Sequence, residues 1–67
     1  MELKIGSVIC YRFSGRKSTG VIVGKSRKKF YIEWKILNDQ IVLFPDKPKT
    51  FSIGFLQNNV NVTKLFP

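Results

Sequence analysis

The chain has 67 residues, enough for one small domain with a single core, so most large apolar side chains must contribute to it. An apolar fraction of 43%, with six Phe, two Tyr and one Trp, excludes a disordered tail, and no apolar run approaches the roughly 20 residues that span a bilayer. Twelve Lys and Arg against four Asp and Glu give a net charge of +8, while the lack of histidine and a single cysteine remove the usual general base, the usual metal ligand and any internal disulfide.

Met1-Glu2-Leu3-Lys4 leads straight into Ile5-Gly6 with no extended apolar region, so no export signal is expected. Residues 3 to 13 read as a first strand, entered through Gly6-Ser7. Val8 and Cys10 point one way in it, and Ile9, Tyr11 and Phe13 the other. Cys10 is expected to be a small buried hydrophobe in a reducing compartment, the cytoplasm. Ser14 to Gly20 has the composition of a loop and carries Arg16 and Lys17.

Val21-Ile22-Val23, between Gly20 and Gly24, is a short β-branched run that suits a second strand. The clearest pattern follows, where Phe30, Ile32, Trp34 and Ile36 alternate with Tyr31, Glu33 and Lys35, the period-two signature of a strand with one buried face. Between these two strands Lys25, Arg27, Lys28 and Lys29 form a strongly basic turn. Leu37-Asn38-Asp39-Gln40 reads as a tight turn into a fourth strand, Ile41 to Phe44, which Pro45 ends. Asp46 to Thr50 is expected as a loop held out of the sheet by prolines, and Phe51 to Asn58 as a single helical or 3₁₀ turn with Ile53 and Leu56 on one side. Val60-Asn61-Val62-Thr63 alternates as a last strand, with Leu65 and Phe66 after it.

These residues carry a resemblance. Ile5-Gly6-Ser7-Val8-Ile9, the glycine-led Thr19-Gly20-Val21-Ile22-Val23, Tyr31-Ile32-Glu33-Trp34, the helical turn and Val60-Asn61-Val62 together resemble the small SH3-like barrel of Tudor, KOW and related modules. The likeness covers nearly the whole chain, 1 to 67, as one domain. It implies an all-β fold, a five-stranded barrel with one short helical turn before the last strand. It implies no single activity. Small proteins of this kind are frequent in bacteriophage genomes, which makes a phage accessory protein in the host cytoplasm the matching expectation. SH3-like modules often hold prolines or methylated lysines with aromatics, but the register of Trp34 with Phe30, Ile32 and Ile36 assigns it to the core. A cage built from Tyr11, Phe13 and Phe44 for a cationic tail works against the +8 charge. Gln40-Ile41-Val42 resembles part of the core motif of a small-barrel dihydrofolate reductase, but its tyrosine is absent. No enzyme activity, cofactor or metal is expected.

The charge placement points to a polyanion. Arg12, Arg16 and Lys17 surround the first loop, and Lys25, Arg27, Lys28 and Lys29 form the second cluster. A six-residue strand spans about 20 Å, so the clusters lie at opposite ends of the second strand. Lys35, on the outer face of the third strand, is expected to fill the gap, with Tyr31 beside it to stack on a base or pack on a sugar. The expected function is nucleic-acid binding through phosphate contacts by Arg16, Lys17, Lys25, Arg27, Lys28, Lys29 and Lys35, with Tyr31 as the aromatic contact and little sequence preference. DNA and RNA are equally open, as are a monomer and a small homo-oligomer, and no membrane partner is expected. The alternative uses the same cations to dock on an acidic host protein, which would favour an exposed apolar patch around Phe51, Ile53 and Phe55.

Overall fold

The alternating apolar residues build one antiparallel sheet, and a short helix closes over its core face. The structure is a computed structural model and describes residues 2–43 and 47–66. Its elements in chain order are β1 (Val8–Phe13), β2 (Arg16–Lys25), β3 (Lys29–Leu37), β4 (Gln40–Ile41), β5 (Lys49–Ser52), α1 (Ile53–Asn58) and β6 (Val62–Phe66). Neighbouring strands run β4-β3-β2-β1-β6. β2 covers one edge of β3, so β4 and β5 share the other, β5 against Lys29 to Ile32 and β4 against Ile36 and Leu37. Among the described residues β5 and β6 do not pair, and the sheet is open.

Two hairpins are made by two-residue turns with both residues at positive φ. Ser14 (52°) and Gly15 (74°) join β1 to β2, and Asn38 (51°) and Asp39 (68°) join β3 to β4. Such turns match the right-handed twist of the strands they connect, and glycine, asparagine and aspartate tolerate them best. The expected turn at Leu37 to Gln40 is therefore present. The expected loop from Ser14 to Gly20 is not, because the Ser14-Gly15 turn lets Arg16 pair with Phe13 and Lys17 with Arg12 at once. β2 is consequently ten residues long, and two of the expected loop cations are strand residues.

The core consists of Leu3, Ile9, Ile22, Phe30, Ile32, Trp34, Leu56 and Val62, with Tyr11, Val42, Phe51 and Ile53 packed around it. Trp34 is 8% exposed, as its register requires, and Cys10 is buried on the other side of β1, in register with Thr19 of β2 and Thr63 of β6. α1 begins at an N-cap, Ser52, whose Oγ accepts from the Phe55 N–H at 2.9 Å, and it buries Leu56. Asn59 ends it by donating its N–H to the Phe55 carbonyl at 3.1 Å.

Three expectations about the second half are corrected. Lys49 and Thr50, expected as loop, and Phe51 and Ser52, expected in the helical turn, belong to a strand, because the first half of β3 has a free edge that Lys49–Ser52 can pair. Among the described residues six strands form where five are expected. Val60 is 94% exposed and the last strand starts at Val62, because the Val62 N–H is turned back to the Asn59 carbonyl at 3.1 Å. β4 is two residues long, and the remainder of the expected fourth strand, with Phe44, Pro45 and Asp46, lies outside the described residues apart from Val42 and Leu43.

Candidate nucleic-acid interface

β2 carries the expected clusters at its two ends. Arg16 and Lys17 open the strand and Lys25 closes it, ten residues along, in a molecule whose longest dimension is 29 Å. Side chains alternate along a strand, so the first cluster is divided. Arg16 opposes Phe13 on the core side of the sheet, and Lys17 opposes Arg12 on the outer side. The backbone of Lys17 is held twice by Asp39, through its N–H to Oδ1 at 3.0 Å and its carbonyl to the Asp39 N–H at 2.8 Å. That carboxylate thus lies at the base of the first cluster.

The second cluster is a tight tip. The Ser26 N–H donates to the Lys29 carbonyl at 2.8 Å, which leaves Arg27 and Lys28 on the bend. The Lys28 carbonyl accepts from the Ile53 N–H at 3.0 Å, so the start of α1 braces the turn. Lys25 Nζ lies 5.9 Å from the ring centroid of the buried Phe30, a cation on the end of the core. Arg12, Arg16, Lys17, Lys25, Arg27, Lys28 and Lys29 are exposed and form no ion pair with any described carboxylate.

On the outer face of β3 the order is Lys29, Tyr31, Glu33, Lys35. Tyr31 stands between Gly24 of β2 and Thr50 of β5, with its ring over Gly24, where an added Cβ would be 3.1 Å from Tyr31 Cδ2. One side of the ring is seated on backbone and the residue is 36% exposed. Lys35, at a bulge in the pairing with β2, is bound to Glu33 by an ion pair. The residue expected to bridge the two clusters thus has a carboxylate of its own strand beside it.

A further group emerges on the core side. Phe13 stacks on Tyr11 with centroids 6.1 Å apart, and Tyr11 meets Phe55 edge-on at 6.0 Å. Phe55 stacks on Phe51 at 6.0 Å, and Phe51 meets Trp34 edge-on at 5.9 Å. Five rings form one continuous path from the β1–β2 turn to the core. Phe13 is 62% and Phe55 41% exposed, Tyr11 and Phe51 are half-buried, and Trp34 anchors the inner end. Tyr11 and Phe13 were visible in sequence as neighbours on one strand face. The meeting of Tyr11 with Phe55, more than forty positions away, follows only from the fold, which brings α1 beside β1. Phe51 and Ile53 are half-buried against the core and Phe55 beside them is exposed, so the apolar patch expected around them is present in part.

No family model, curated protein or solved structure matches the chain. Among the described residues no helix is long and apolar enough to cross a membrane.

Proposed function

We propose that this protein binds nucleic acid through the phosphate backbone with little sequence preference. The observation that carries this reading is the pair of exposed cation clusters at the two ends of β2, free of ion pairs with described carboxylates on a chain of net charge +8. Such a field draws a polyanion, and phosphate contacts fix position without reading bases. The short helix offers no recognition surface for a major groove. We propose further that the fold is an SH3-like barrel of the Tudor and KOW type, a reading supported by the meander of β1 to β4, the helical turn and the return of the last strand to β1.

The test is a titration with duplex DNA, single-stranded DNA and RNA at several salt concentrations. Micromolar or tighter binding is expected, with a log–log salt slope of about 4 to 6 if that many phosphates are neutralised. Replacing Lys25, Arg27, Lys28 and Lys29 by Ser should leave the fold intact and remove most of that binding. A quadruple variant that binds like the parent refutes the reading. Absence of binding by the parent near 50 mM salt would turn attention to an acidic protein as the partner of the same cations.

A further inference from the structure

We infer that the path of rings on the core side is a stacking platform for single-stranded nucleic acid, with Phe13, Tyr11 and Phe55 as the base-facing members. The inference rests on the nucleic-acid reading and adds the class of ligand and the side of the sheet that receives it. Exposed apolar residues are ordinary when scattered, as Val60 is here. The rings differ from these in being contiguous, each within about 6 Å of the next, and in being backed by the buried Trp34 and half-buried Phe51. The backing holds them at little entropic cost. A platform fixed before the ligand arrives loses less on binding than one that must be ordered.

Charge complementarity chooses the occupant. Arg16 pairs across from Phe13 at the outer end of the path, on the same face of the hairpin. Lys49, two residues before Phe51 on β5, falls on the side of its strand that Phe51 occupies. Both cations are exposed, one across from the first ring of the path and one on the strand that carries Phe51. An uncharged apolar peptide would use the rings and leave the cations idle. A duplex would use the cations and leave the rings idle, because its bases are already stacked on one another. A single strand uses both, with phosphates on Arg16 and Lys49 and unstacked bases on the ring faces. This differs from the interface expected from sequence, which gave the aromatic role to Tyr31 on the outer face; one side of the Tyr31 ring is covered at Gly24.

The decisive experiment compares the parent with Phe13→Leu/Phe55→Leu, using a dT oligonucleotide and a duplex of equal length at one salt concentration. Leucine keeps apolar bulk at two exposed positions and removes the π-faces, and a thermal melt checks that the fold is retained. The double variant should bind the single strand about 10- to 100-fold more weakly, with the salt slope unchanged because no charge is lost. Duplex binding should not move. The quadruple Ser variant of the basic tip, by contrast, should weaken both ligands and lower the slope. If the leucine variant binds the single strand as the parent does while the quadruple variant loses it, the platform is wrong and the nucleic-acid reading stands. If the parent binds neither oligonucleotide, both fall, and a poly-glutamate peptide whose binding is lost in the leucine variant would assign the rings to an acidic protein. Photocrosslinking of the parent to an oligonucleotide carrying 5-iodouracil gives a check that needs no variant. Adducts are expected on Tyr11, Phe13 or Phe55, and adducts confined to Tyr31 would overturn the assignment.

Discussion

Gly20 lies directly against the indole of Trp34. A Cβ built on Gly20 would stand 2.8 Å from Trp34 Cε3, 2.7 Å from Ile32 Cγ2 and 3.0 Å from the Glu33 carbonyl oxygen. The two residues are paired across β2 and β3, and the missing side chain on one is the space that the ring of the other fills. An alanine at a strand glycine usually helps by restricting the unfolded chain. Here the sign should reverse. Gly20→Ala should cost about 1 to 3 kcal/mol, read as a lower urea midpoint at unchanged slope, because backbone on one side and the packed Trp34 ring and Ile32 methyl on the other leave nowhere to yield.

The β3–β4 turn makes a second, separable prediction. Asp39 sits at positive φ and holds Lys17 by both backbone groups, while the Asn38 N–H donates to the buried Ser18 hydroxyl at 3.0 Å. Asp39→Ala removes the carboxylate acceptor and strains the turn, and about 1 to 2 kcal/mol of stability should be lost. Asp39→Gly removes the acceptor alone and should lose less. Equal losses in the two variants would show that the backbone conformation contributes nothing.

Glu33 should act on binding and hardly at all on stability. Its ion pair with Lys35 is partly exposed, and such pairs are worth about 0 to 1 kcal/mol. Glu33→Gln frees a cation on the outer face, so under the proposed function duplex affinity should rise a few-fold at low salt and converge with the parent at high salt. Single-strand affinity should rise less, because the rings are on the other face. A melting temperature close to that of the parent is the matching control.

How far these relationships were legible in the sequence depends on the distance over which each is decided. Period two along Phe30 to Ile36 is a local signal strong enough to place Trp34 inside, and Asn38-Asp39 announces its turn because few residues accept positive φ. The helical turn was readable from Gly54 and the Asn58-Asn59 stop. Arg16 and Lys17 were misread as loop because Ser, Gly and Lys signal loops by composition, whereas only Ser14 and Gly15 are needed to reverse the chain. β5 was missed for a different reason. Its four residues carry little strand signal of their own and pair because β3 offers them an edge, a tertiary effect that overrides propensity. The basic clusters were visible as charge, but their division between two faces depends on the register of β1 with β2.

The position of Cys10 turns the molecule into its own reporter. The thiol is buried and lies in register between Thr19 and Thr63, so one of its flanks is the last strand of the chain. A thiol reagent can reach it only when that neighbourhood opens. The alkylation rate of the unmodified protein therefore times the opening of β1 from β6 or β2, a local event that hydrogen exchange would place at or below the free energy of global unfolding. With one cysteine in the chain there is no second site to confuse the signal.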